Sequence, residues 1–272
     1  MTSHSTSLTD FAFTVWRYWN LISRLIGREF SARYRGSLLG IVWAILTPLL
    51  TVLVFTFVFS VVFKTKWGVH TASNGSFVVI LLLGLTINNI FAESISRAPT
   101  VIVSNLSYVK KVVFPLEVLP VVVVIGSLVN ASLALGVVIV ANFFITGVVH
   151  PTLVFLPLVL APYLLLVVGV TMFFSSVGVF IRDLGQVVGL LVTILLFMTP
   201  IFYPLSSVPE PYRAWLYLNP LTFTIEQARG VALFGLAPNW AGISLYSAGA
   251  VAVLAAGLFW FQRTRNGFAD VM

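Results

Sequence analysis

The chain has 272 residues, of which 59% are hydrophobic and only 8% charged, and it contains no cysteine. An ordinary soluble domain is about 25% charged, so this composition belongs in a bilayer, and disulfides, thiolate chemistry and cysteine metal sites are excluded. The net charge of +7 reads as membrane orientation and contact with anionic head groups, so no nucleic-acid partner is expected.

Residues 1–10 are polar, and no short apolar core with a small-residue cleavage site follows, so a cleavable signal peptide is not expected. Residues 11–35 read as one helix. At 100° per residue, Arg17, Arg24, Arg28 and Arg35 fall within about 40° of each other. Phe11, Val15, Trp19, Ile22, Ile26 and Phe30 lie opposite, the pattern of a helix lying in a membrane surface. Two readings stay open: a simple topological anchor, or arginines (Arg24, Arg28, Arg33, Arg35) placed to meet an anionic lipid head through paired hydrogen bonds.

Spans are expected over 37–63, 77–97, 114–147, 152–181, 184–204 and 237–262, which gives six. The first is long enough for about 40 Å of helix against a hydrocarbon core of about 30 Å. It carries Phe55, Phe59 and Phe63 at i, i+4 and i+8, a stripe that either lines a passage or packs against lipid and other helices. The second holds Asn88 and Asn89, candidate partners for a sugar rim or for neighbouring helices, as are Asn130 and Asn142. It ends with Glu93 and Arg97, spaced for an i, i+4 pair.

An inner loop, 98–113, is bracketed by Pro99 and Pro115. Ser104 or Asn105 is placed to cap a short helix ending at Lys110 and Lys111. That segment is either something a partner grips or an ordinary solvated loop. Residues 205–235 are aromatic and broken by proline, yet carry Glu210, Arg213, Glu226 and Arg229. Lipid does not tolerate such backbone unless protein or a water-filled cavity surrounds it.

With the N-terminus inside, the inner segments hold eleven of the 15 Lys and Arg residues, leaving Lys64, Lys66, Arg213 and Arg229 outside. Both termini are therefore expected in the cytoplasm. No repeat of 20–50 residues and no inverted duplication is visible, which argues against the common secondary-transporter designs.

The chain holds no G-x-x-x-x-G-K-[ST], G-x-S-x-G or H-E-x-x-H stretch, so neither catalytic residues nor a metal site is expected. Apart from their ends the spans lack ionisable residues, so a proton or sodium relay has nothing to run on. Uphill transport would need energy from a separate ATPase. The rival reading is an intramembrane enzyme depending on Glu210 or Glu226.

Four stretches then carry a resemblance: REFSARYRGSLLGIVWAILTPLL (28–50), SNLSYVKKVVFPLEVLP (104–120), RDLGQ (182–186), and TPIFYPLSSVP with LNPLTFTIEQARG (199–230). They occur in the order and on the side of the membrane found in the membrane subunits of ABC-2-type exporters for polysaccharides and polyol phosphates. The chain resembles these O-antigen, capsule and teichoic-acid permeases over nearly its whole length. One departure is Leu116, where the family often has arginine.

The resemblance implies an all-α membrane protein of six spans, with an N-terminal amphipathic interface helix and two short re-entrant outer helices between spans 5 and 6. It implies a homodimer working with two copies of an ABC ATPase subunit, which binds ATP and Mg. Asn105, Leu106, Ser107, Tyr108, Val109, Lys110 and Lys111 would form the coupling segment, and Phe55, Phe59, Phe63, Asn88 and Asn89 the channel lining. Tyr203, Tyr212, Arg213, Trp215, Tyr217, Glu226 and Arg229 would belong to the outer gate.

The expected location is the bacterial cytoplasmic (inner) membrane. The expected cargo is a lipid-linked glycan, first of all O-antigen on an isoprenoid diphosphate. The alternatives are capsule, teichoic acid, a drug or another lipid.

Overall fold

A computed structural model of the chain describes residues 7–58, 74–109 and 114–271. Phe59, Phe63, Lys64, Lys66, Lys110 and Lys111 lie outside them. Every regular element among the described residues is helical. Five helical stretches are long and apolar enough to cross a membrane: Gly40–Val58, Ser76–Val101, Val118–Thr146, Pro151–Phe180 and Trp240–Gly267. A shorter apolar helix, Leu184–Met198, stands between the last two.

The amphipathic segment is two helices rather than one: α1 (Leu8–Arg17) and α2 (Trp19–Tyr34), broken at Tyr18 with φ −96° and ψ 16°. The bend has a packing reason. Leu8, Phe11 and Val15 of α1 and Ile22 and Leu25 of α2 all join one apolar cluster with the inner ends of the bundle. The apolar face is thus partly covered by protein, although Trp16 and Trp19 remain 75% and 50% exposed.

The first span opens with a 3-10 turn, Gly40–Val42, and continues as α3 (Trp43–Phe55). The helix of the second expected span, α4 (Asn74–Val101), runs past the expected boundary and through Pro99. A proline in the last turn costs a single backbone bond, and close packing offsets it: a Cβ on Gly178 would sit 2.2 Å from the Pro99 carbonyl oxygen. Ser104 and Asn105 do not cap the following helix. Asn105 Nδ2 donates back to the Val101 carbonyl at 2.8 Å and Ser104 Oγ at 3.3 Å, closing the end of α4, where last-turn carbonyls lack partners. A 3-10 turn and the short α5 (Leu106–Val109) follow.

Helix α6 (Val118–Thr146) stops at Gly147, whose φ of +74° is the left-handed terminator that glycine accommodates. Helix α7 (Leu156–Phe180) follows a 3-10 turn at Pro151–Phe155. Helix α8 (Leu184–Met198) is 15 residues and ends before the expected 204. Thr199 precedes Pro200 and takes the extended backbone (φ −96°, ψ 137°) that a following proline imposes. Then come α9 (Glu210–Leu218), α10 (Pro220–Leu233), α11 (Trp240–Thr264) and the terminal α12 (Phe268–Val271).

Helix α4 is the hub. It packs against α6, α7, α8 and α10, and 78% of its membrane-length window is buried. Tyr163 of α7 donates its hydroxyl to the Ile87 carbonyl of α4 at 2.9 Å. Helices α7 and α11 meet through glycine, since a Cβ on Gly257 would lie 2.1 Å from the Gly169 oxygen. Small residues allow such backbone approach where lipid gives no hydrophobic drive. At the other extreme, none of the first span's window is buried.

Candidate functional site

At the end of the bundle where both termini gather, called the inner end after the side on which it is expected, carboxylates and arginines from different elements pair. Arg33 of α2 donates to Glu93 of α4. Arg97 of α4 reaches Glu29 of α2 at 2.9 Å and Glu93 at 3.7 Å, the latter at the expected i, i+4 spacing. Asn130 of α6 lies 3.4 Å from Glu93, within reach of Arg33 as well. Two arginines and two carboxylates thus join α2 to α4 beside α6, with side chains 25–40% exposed.

The short α5 is tied to the same frame. Arg28 Nη1 donates to the Tyr108 hydroxyl at 3.1 Å, and the Tyr108 ring stacks on Phe114 at 4.4 Å. Arg265 bonds Glu117 at 2.8 Å and the Phe114 carbonyl at 3.1 Å, closing the C-terminal end onto the base of α6. Of the head-group arginines, then, Arg28 and Arg33 have protein partners. Arg24 and Arg35 are exposed, and neither forms an ion pair among the described residues.

Above the Arg33–Glu93 pair a cavity of about 510 Å³ opens between α3, α4 and α6. Its floor is Arg33, Tyr34, Glu93 and Asn130. Thr47, Thr51, Thr86, Asn89 and Ser127 give its walls hydroxyls and an amide, and Trp43 and Phe55 give rings. Such alternation of ring faces and hydrogen-bonding groups suits a sugar, whose faces are apolar and whose rims are polar. Of the expected channel residues, Phe55 and Asn89 line this cavity. Asn88 is 4% exposed and is not among its lining residues; its neighbour is turned 100° away along the helix.

The outer segment separates into two unlike halves. On α10, Arg229 is 1% exposed and bonds across the bundle. Its Nη1 donates to the Pro200 carbonyl at 2.6 Å and to Glu226 at 2.7 Å, its Nη2 to Ile201 at 3.2 Å, and its Nε to Ile80 of α4 at 3.2 Å. It therefore satisfies carbonyls freed where α8 breaks. Gly84 makes room for it, because a Cβ there would lie 2.8 Å from Arg229 Nη2. Asn219 caps α10, accepting from Leu221 N at 3.0 Å, and donates to Thr199 at 2.8 Å.

On α9 the picture is opposite. Tyr212, Trp215 and Tyr217 are 59–64% exposed. Arg213 serves its own loop, donating to Val208 O at 2.7 Å and Ser206 O at 3.0 Å. Tyr203 donates to Phe197 O at 3.1 Å, at the end of α8. The seven outer residues thus lie on one end of the molecule but not in one cluster.

Gly84 and Glu29 went unremarked in the sequence. Glu29 had a readable signal, since a carboxylate in so charge-poor a chain wants a partner. Gly84 inside an apolar helix signals only that something approaches closely.

The chain matches the ABC-2 type transporter family over residues 20–233. It is 30% identical over 258 residues to the O-antigen export system permease protein RfbA of Myxococcus xanthus, covering 94% of this chain and 96% of that protein. An O-antigen export system permease protein RfbA of Klebsiella pneumoniae is 26% identical over 256 residues, with 93% and 95% coverage. The polysialic acid transport protein KpsM of Escherichia coli is 28% identical over 173 residues, covering 62% of this chain and 66% of that protein.

Proposed function

The chain belongs to the ABC-2 type transporter family, and from that premise we propose that it is the membrane-spanning permease of a polysaccharide exporter, moving an isoprenoid-linked O-antigen outward. The observation that carries this reading is its end-to-end likeness to permeases named for O-antigen export. The cavity of ring faces and amides between α3, α4 and α6 supports it. In this reading, α8 completes six spans, α9 and α10 are re-entrant, and two copies of the chain enclose a channel.

Two copies of a separate ABC ATPase subunit bind ATP with Mg on the cytoplasmic side, where the basic residues place both termini. This chain supplies no catalysis. ATP binding pushes α5, and the contact between Arg28 and Tyr108 carries the displacement into α2. From α2, the Glu29–Arg97 and Arg33–Glu93 pairs carry it to α4, which walls the cavity. Replacing Lys110 and Lys111 with glutamate is expected to abolish export while the partner still hydrolyses ATP; undiminished export would remove the coupling role.

A capsule-type cargo is the second reading, favoured by the partial likeness to the polysialic acid transport protein. The test is a mild-detergent pull-down of the tagged chain from its host, followed by ATPase assays with glycolipid. A stoichiometric P-loop subunit whose hydrolysis responds to O-antigen glycolipid supports the reading. A chain that comes out alone, even after cross-linking, contradicts it.

A further inference from the structure

We infer that Arg265 is a positioning residue for the coupling segment: it fixes the stretch by which the inner loop returns to α6, so that a push on α5 is delivered to α2. The inference rests on the ATPase-coupled reading above and brings the C-terminal end of the chain into it.

Arg265 opens the 3-10 turn that follows α11. Its guanidinium spans two acceptors on the way into α6: the Glu117 carboxylate, through Nη1 at 2.8 Å, and the Phe114 carbonyl, through Nη2 at 3.1 Å. A planar fork on two acceptors sets orientation as well as distance. The fork is itself seated. Phe268, just beyond it, is buried and packs on Phe261 at 5.5 Å and on Phe180 at 6.0 Å, in the apolar cluster that also holds Leu116 and Val118.

What Arg265 holds reaches onward. The Phe114 ring stacks on the Tyr108 ring at 4.4 Å with 15° between the planes, and the Tyr108 hydroxyl accepts from Arg28 of α2 at 3.1 Å. Phe114 is thus tied by its backbone to the C-terminal segment and by its ring to α5. Were its backbone released, a displaced α5 would carry Phe114 along instead of bearing against it, and less of the movement would arrive at Arg28.

Burial sets this pair apart from its neighbours. Its side chains are 12% and 11% exposed, against 25–40% for the pairs joining α2 to α4. It stays made while the more hydrated pairs exchange partners. A buried ion pair adds little net stability over a well-packed apolar replacement, so its worth lies in the geometry it imposes.

That distinction supplies the test. The transporter is purified with its ATPase subunit and reconstituted with glycolipid extracted from the host's membranes. Polymer moved per ATP hydrolysed is measured together with the thermal melting of the complex. The double variant Arg265→Met with Glu117→Leu replaces both charges by apolar groups of similar size. It should melt near the parent yet move about tenfold less polymer per ATP, within the usual range of coupling between distant sites. Arg265→Lys keeps the charge on Glu117 but not the fork, and its ratio should fall between the two. If the double variant does not assemble, Arg265→Lys decides alone.

A parental ratio in whichever variant assembles, or export and hydrolysis falling in proportion as the complex loses stability, would make Arg265 a purely structural residue and overturn the inference. Lys110→Glu with Lys111→Glu, in the same assay, separates the two levels. If that variant lowers the ratio and the Arg265 variants do not, this inference alone fails. If neither lowers it, the coupling reading beneath it fails as well.

Discussion

The two ends of the molecule handle their arginines in opposite ways. At the outer end, Arg229 is buried, fixed by three main-chain carbonyls and one carboxylate, and fitted against a glycine. At the inner end, Arg33 and Arg97 share Glu29 and Glu93 with side chains still 25–40% exposed. A guanidinium satisfied by backbone carbonyls has no cheap alternative, since leaving them strands buried acceptors. Half-hydrated ion pairs exchange partners at little cost. The outer end is thus built to hold a break in the bundle in place. The inner end is held by contacts that can be remade.

The largest effect should come from Arg229→Ala, which removes the donor for Ile80, Pro200 and Ile201. About 3–5 kcal/mol of stability is expected to go, as for other broken buried pairs, measured by denaturation of the detergent-solubilised protein. Arg229→Lys should recover only part, because a point charge cannot serve several carbonyls in a fork. Next is Gly84→Ala, whose methyl meets the guanidinium at 2.8 Å; about 1–3 kcal/mol is expected from overpacking.

Breaking the Glu29–Arg97 pair by Glu29→Arg should cost no more than about 1 kcal/mol in stability, yet reduce export, and Arg97→Glu added to it should restore export. Smallest is Trp215→Ala on exposed α9, expected to stay within about 0.5 kcal/mol of the parent. If Trp215→Ala destabilised as much as Arg229→Ala, the contrast between α9 and α10 would collapse.

Part of this architecture is legible in the sequence. Hydropathy marks where the long apolar helices run, because in lipid the backbone has few choices. The two short outer helices are expected from the resemblance alone; in the structure Asn219 caps the second of them. Less visible were features that depend on distant partners. The helix through Pro99 needs Gly178 opposite it, and the bend at Tyr18 goes with the shared apolar cluster that α1 and α2 both join. Arg229 reads in sequence as a channel-mouth charge, but its side chain is inside, paired with carbonyls about thirty to 150 positions away. No local pattern encodes that pairing. Of the residues expected to line a passage, Phe55 and Asn89 border the cavity and Asn88 does not, and the Arg33–Glu93 pair beneath it has no local pattern in the sequence.

The central claim is that this chain moves a lipid-linked polysaccharide outward, and deleting it in its host tests that most directly. Surface polysaccharide and carrier-linked polymer inside the cell are measured together. The account predicts that surface polysaccharide is lost while carrier-linked polymer accumulates on the cytoplasmic side, both reversed by the intact chain. Unchanged surface polysaccharide without internal accumulation would contradict it.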